Sequence, residues 1–214
     1  MSRWLYISVI AFSIARAEAV HVDVRVLDKS ARPVSGIVVT MHGPSTGAPK
    51  ATASTAIMDQ IEQRFLPFVL PVRVGTPVTF PNSDSVAHQV YSFSQPKRFE
   101  LGLYRGKPHA PVVFDKPGIV VLGCNIHDKM VGYIYVTDAA YFGKTSGQGA
   151  WRADGVANGE YRVEIWSPLL ARDEPVLTRT ITVADGREDE LVFHLTRALQ
   201  PEPRPQLDRK LRDY

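Results

Sequence analysis

Ile119-Val120-Val121-Leu122-Gly123-Cys124-Asn125-Ile126-His127-Asp128-Lys129-Met130-Val131-Gly132-Tyr133-Ile134-Tyr135-Val136 is two apolar, β-branched runs joined by a short polar loop. Runs of this length and composition, bounded by glycine and polar residues, read as strands. The loop carries Cys, His and Met at C-x2-H-x2-M spacing. A strand that ends at Cys124 aims the sulfur inward, and a turn folds His127 and Met130 back towards the same point. Thirty-six residues before Cys124, Pro81-Asn82-Ser83-Asp84-Ser85-Val86-Ala87-His88 offers a second imidazole at the start of another strand.

Taken singly, each of these residues has a plain explanation. A Cys after Val-Val-Leu-Gly is most often a buried thiol and a Met most often core filler. His127 beside Asp128 is an ion pair, and His88 a satisfied loop histidine. Together, two imidazoles, one thiolate and a weak axial thioether make the blue-copper ligand set. Soft thiolate and imidazole satisfy both copper oxidation states, and a rigid β scaffold keeps reorganisation small. The ligands bind as thiolate and neutral imidazole, so metal uptake releases the Cys124 proton and weakens at low pH.

Outward from this loop the chain stays β-like. Strands are expected at Phe65 to Val74, Pro77 to Pro81, Ala87 to Phe93, Val112 to Asp115, Ile119 to Gly123 and Gly132 to Val136, closely punctuated by Pro and Gly. Upstream, Val22-Val24-Val26 and Val34 to Met41 flank a Lys29-Ser30-Ala31-Arg32-Pro33 turn and are expected to pair antiparallel. Residues 43–56 (GPSTGAPKATASTA) read as a connection. After Ala139, glycines separate short strands at Tyr161 to Trp166, Leu177 to Val183 and Leu191 to Leu195. Little of the chain carries a helical period, so the fold class is all-β, a sandwich or barrel. Residues 198–214, polar and proline-interrupted, read as a mobile tail.

The amino terminus, with Arg3, an apolar run from Trp4 to Ile14 and Ala17-Glu18-Ala19, reads as a secretory signal peptide over residues 1–19. The run falls short of the roughly 20 residues a spanning helix needs, so no transmembrane segment is expected after its removal. A periplasmic or otherwise exported protein normally pairs its cysteines, yet Cys124 is the one Cys in 214 residues. It is a buried thiol, an intermolecular bridge or a metal ligand. A chain of 44% hydrophobic residues can bury a real core, and a net charge of +3 is too small to argue for nucleic acid. His21, His42, His109 and His194 stand singly and read as ordinary strand or surface residues. No Gly-x-Ser-x-Gly, phosphate-binding glycine loop or His-x-His pair is present. The chain is therefore expected not to be an enzyme.

The stretch from about Met58 to Asp138 resembles the cupredoxin family, and its short C-x2-H-x2-M loop is most similar to that of amicyanin. The wider pattern resembles a group of bacterial periplasmic proteins known as methylamine utilisation proteins. It comprises Met58-Asp59-Gln60, Phe65-Leu66-Pro67, Gly75 to Asp84, His88, Ser92-Phe93-Ser94, Gly118 and Gly123 to Met130. The resemblance implies one type 1 copper per chain, held by His88, Cys124, His127 and Met130. It also implies that Asn82 ties the two ligand loops together by hydrogen bonds. The loop departs from amicyanin in lacking proline between its ligands, which leaves backbone N–H groups able to point at the sulfur.

Residues 21–42 and 149–166 resemble the opening and the continuation of a carboxypeptidase-regulatory or transthyretin-like sandwich. The expected organisation is a cupredoxin Greek-key sandwich, residues 51–138, inserted into a second small β-sandwich made of 20–50 and 139–197. The function this implies is a one-electron transfer module serving a redox protein such as a periplasmic cytochrome c or a dehydrogenase. The alternatives are a non-catalytic binding or scaffold module of the cell envelope, and a copper storage or delivery protein.

Overall fold

The computed structural model describes residues 20–45, 55–106, 108–174, 177–184 and 189–203. Residues 1–19, expected to be a signal peptide, most of the connection after Pro44 and the end of the segment read as a tail lie outside these residues. The described chain is all-β.

Two buried apolar clusters organise it. In the first, β1 (Val22–Leu27) lies between β14 (Ala150–Ala153), antiparallel, and β17 (Asp189–His194), parallel. A second sheet runs β13 (Tyr141–Lys144), β2 (Val38–His42), β15 (Gly159–Trp166), β16 (Thr178–Val183). The two-residue alternation of β1 buries Val22, Val24 and Val26, which join Val39, Met41, Tyr161, Val163 and Phe193 in one core.

The expected β1–β2 hairpin does not form. The two strands stand in different sheets and meet through the shared core; the chain between them folds back on β1, where Leu27 bridges Pro33 and Val34 donates its N–H to the Val26 carbonyl at 2.9 Å. Gly36, at φ 76°, then turns the chain in a conformation that L side chains rarely adopt. Residues 37–42 thereby cross to the opposite layer.

The second cluster holds Met58, Phe65, Val78, Phe80, Phe114, Leu122, Met130 and Ile134. Around it lie a sheet of β3 (Ala56–Ile57), β7 (Thr76–Thr79) and β10 (Val112–Phe114), and a hairpin of β4 (Asp59–Ile61) and β5 (Arg64–Leu66). The largest sheet runs β6 (Val69–Arg73), β12 (Val131–Thr137), β11 (Gly118–Gly123), β8 (His88–Ser92), β9 (Phe99–Tyr104). The run expected from Phe65 to Val74 is broken at Pro67-Phe68 into β5 and β6. β9 was not foreseen.

The chain leaves β2 for the second cluster and returns into β13, which pairs with β2, Tyr141 opposite Met41. Contacts join the two cores. Arg73 donates to the carbonyls of Ala139 (2.8 Å) and Ala140 (3.1 Å), and its guanidinium lies 5.1 Å from the centre of the Phe142 ring. Lys144 Nζ donates to the Val69 carbonyl at 2.8 Å. Trp166 packs against Tyr133 and Tyr135, ring centres 6.1 and 5.2 Å away.

Candidate metal centre

β11 and β12 are antiparallel neighbours, Gly123 opposite Val131, and residues 124–130 close the end between them. The closure is two successive tight turns. His127 N–H meets the Cys124 carbonyl at 3.4 Å, and Met130 N–H donates to the His127 carbonyl at 2.9 Å. Side chains three apart eclipse one another in such turns, which brings His127 over Cys124; Met130, three residues further on, is buried in the same apolar cluster as Cys124. Cys124 and Met130 are buried, 4% and 1% exposed, and His127 is half-buried. Asn125, Ile126, Asp128 and Lys129 face solvent.

His88 opens β8, the strand beside β11, and is 0% exposed. Its Nδ1 is 3.9 Å from Cys124 Sγ, and His127 Nδ1 is 3.8 Å from the same sulfur. The two rings meet edge to face, centres 4.9 Å apart. Among the described residues this is the one cluster of three His, Cys or acidic groups suited to a metal, with all ligand atoms within 4.8 Å of one another. A metal–nitrogen and a metal–sulfur bond laid end to end span about 4.3 Å, so one ion can reach each nitrogen and the sulfur together. The donor set, two imidazoles and a thiolate beside a buried thioether residue, suits copper.

Burial and the nearby His88 lower the His127 pKa from the ordinary imidazole value, while Asp84 opposes them. His127 therefore stands neutral near pH 7, the form that ligates. Among the described residues no backbone N–H reaches the Cys124 sulfur, although the loop lacks proline.

Asn82 does not join the two ligand loops. Its Nδ2 donates to the Val86 carbonyl at 2.9 Å and the Tyr104 carbonyl at 3.0 Å, and its Oδ1 accepts from Asp84 N–H at 3.0 Å. It braces the His88 loop internally and against β9. The reason is position: Asn82 sits six residues before His88, at the start of the loop, with β9 rather than the Cys124 turn beside it.

Two neighbours escaped the sequence reading. Asp84 Oδ2 lies 3.0 Å from His88 Nε2. Burial pushes its carboxyl up, but hydrogen bonds from His88, Gln63 and Ser85 outweigh that and hold it below the usual carboxylate range. Its spacing of four residues before His88 was the available signal. Tyr104, cross-strand from His88, donates to the Phe80 carbonyl and accepts from Gln60 Nε2, both at 2.5 Å. Burial pushes its hydroxyl up to about 12, so it remains a neutral donor. A tyrosine in a glycine-interrupted strand carries no sequence mark of that role.

No family model matches the chain, and no curated protein matches it. Solved structures do. A Pro-to-Gly variant of amicyanin in its reduced Cu(I) form at pH 4 matches at 18% identity over 46% of this chain and 98% of that one, TM-score 0.36. A purple cupredoxin from Nitrosopumilus maritimus matches at 26% identity over 39% and 99%, TM-score 0.32. A copper-containing nitrite reductase from Thermus scotoductus matches at 24% identity over 53% and 28%, TM-score 0.37. These neighbours are copper proteins of cupredoxin type, and each match spans only 39–53% of this chain. Among the described residues, no helix is long and apolar enough to cross a membrane.

Proposed function

We propose that the chain is an exported one-electron transfer protein that holds one copper ion through His88, Cys124, His127 and Met130. The observation that carries the reading is the convergence of His88 Nδ1 and His127 Nδ1 on the buried Cys124 sulfur, at 3.9 and 3.8 Å. Copper would supply the one-electron couple. The chain's own part is to bury the thiol, hold both rings with Nδ1 inward and place Met130 under the same turn. A scaffold has no need to keep four such side chains in register.

The two ligand loops carry the exposed apolar side chains Ile126, 53% exposed, and Val86, 38% exposed, with Asp128 and Lys129 as a charged rim. A small apolar patch with a polar rim suits the brief encounter of an electron donor and acceptor. The proposed partner is a cytochrome c or a dehydrogenase. The cupredoxin unit, 51–138, sits in this reading as an insert within a host sandwich of 20–50 and 139–197. Visible and spin-resonance spectra of the purified protein after cupric ion is added test the assignment. An intense thiolate-to-copper band is expected; a colourless protein that takes up no copper refutes it.

A further inference from the structure

We propose that Asp84, held by the β4–β5 hairpin, is a positioning residue for His88. It keeps the ring proton on Nε2 and Nδ1 free towards the Cys124 sulfur, and it biases bound copper towards the cupric state. The last part rests on the copper reading above.

The His88 ring is 0% exposed, so both nitrogens find their partners inside the protein. One faces Cys124 Sγ at 3.9 Å; the other lies 3.0 Å from Asp84 Oδ2. A neutral imidazole has one N–H to give. Given to the carboxylate, it leaves the Nδ1 lone pair on the side of the sulfur. A carboxylate behind a ligating imidazole also raises its basicity, and a more basic ligand favours the more positive ion.

Asp84 cannot swing away. Its Oδ2 also accepts the Gln63 N–H at 2.7 Å, its Oδ1 accepts the Ser85 N–H at 2.7 Å, and its own N–H is taken by Asn82 Oδ1 at 3.0 Å. The Gln63 amide comes from the two-residue turn between β4 and β5. There Glu62 at φ 50° and Gln63 at φ 56° both occupy the left-handed region, where such turns favour Asn-Gly. A strained pair of this kind persists only where its surroundings over-determine it.

What lies across this turn is the His88 loop, gripped at more than one point. Asp59 Oδ1 accepts from Ser83 N–H at 3.2 Å and Oδ2 from Ser83 Oγ at 2.8 Å, while Gln60 bridges Asn82. The hairpin is thus a clamp on the loop that orients a single buried ring.

The experiment compares wild type, Asp84→Asn and the double change Glu62→Asn with Gln63→Gly, metal-free and copper-loaded. Asparagine keeps an acceptor at the same place and removes the charge. In Asp84→Asn the ratio of cupric to cuprous affinity should fall about tenfold, raising the midpoint potential by about 59 mV. The metal-free wild type should show the His88 proton on Nε2 by ring nitrogen-15 shifts. The turn double variant keeps the Gln63 N–H, so its tautomer and potential should stay at wild-type values while its denaturation midpoint rises.

An unchanged potential in Asp84→Asn, with the wild-type charge-transfer band intact, overturns the bias and leaves the copper reading standing. A wild type without that band overturns the copper reading and the bias together. A His88 proton on Nδ1 in the metal-free wild type overturns the positioning role whatever the copper result.

Discussion

Gly123 and Tyr91 stand opposite each other across β11 and β8, and a Cβ on Gly123 would lie 2.7 Å from Tyr91 Cζ and 2.8 Å from its hydroxyl oxygen. The residue before Cys124 is glycine because an aromatic ring covers it. Gly123→Ala forces either the ring or the Cys124 backbone to shift, at about 1–3 kcal/mol for overpacking. Tyr91→Ala should recover part of that loss in the double variant, measured by urea midpoints as a coupling between the two sites. Equal stability of Gly123→Ala and wild type would show that the ring gives way freely.

The ligand assignments separate by chemistry. Cys124→Ser should abolish the charge-transfer band while circular dichroism shows the β fold kept. Met130→Gln should keep copper and lower the potential, because a harder axial oxygen favours the cupric state. On the proposed ligand set, His88→Ala should lose affinity instead, since it would remove one of the two imidazoles. Equal effects of the last two changes on affinity and potential would mean that Met130 is not axial.

Ile126, the most exposed apolar residue of the Cys124 loop, tests the docking face. Ile126→Glu should slow electron transfer to a partner cytochrome about tenfold or more by disrupting the apolar contact. Asp128→Ala and Lys129→Ala should change its salt dependence. None should move the copper spectrum. Rates indifferent to Ile126→Glu but sensitive to changes in β15 or β16 would put docking on the other sandwich.

Asp23 and Arg152 form a two-pronged pair between β1 and β14, both contacts 2.7 Å. The Arg152 hydrogen bond holds the Asp23 carboxyl below its ordinary value. A depressed carboxylate stabilises the fold above its unfolded pKa of about 3.9 and loses that contribution as pH falls through the folded value. Both side chains are partly exposed, 35% and 53%, so Asp23→Asn should cost only about 0.5 kcal/mol at pH 7. As pH falls through the folded value, the variant and wild type should converge. A difference that grows on acidification would reverse the sign of the linkage.

The β2–β13 pairing predicts that excising 57–138 and joining the flanks with a short Gly/Ser linker leaves a soluble β domain. It should be less stable than the whole, because Trp166 loses Tyr133 and Tyr135 and Lys144 loses the Val69 carbonyl. Circular dichroism and a cooperative thermal transition would show it. If the excised product and 57–138 alone are both unfolded, the two clusters form a single fused core.

What the sequence disclosed and what it hid divide along local and non-local lines. The Cys124 turn was legible because three of its residues lie within seven and the apolar, β-branched runs on either side read as strands. β9 was hidden because Gly102 interrupts its alternation and the β8–β9 pairing is irregular between His88 and Val90. The pairing of β1 with β2 was misread because a β-branched run, a turn and a second run describe a hairpin and a crossover alike, and only the φ of Gly36 separates them. The four-residue spacing of Asp84 and His88 brings the two within reach, but the spacing alone does not say that the carboxylate turns inward onto the ring. Glu62-Gln63 carries no turn signature, because its conformation is imposed by contacts with residues twenty positions away.

β1, the first strand of the described chain, pairs in parallel with β17, the last, while every strand from β3 to β12 finds its partners within residues 56–137. The consequence is one of order in time. Contacts close in sequence form before distant ones, whose loop-closure entropy is larger. The inner unit therefore completes itself, ligand turn included, while the outer sandwich still waits for its final strand. A chain emerging from its amino end would bring Cys124 and His88 together before its outer sandwich was complete.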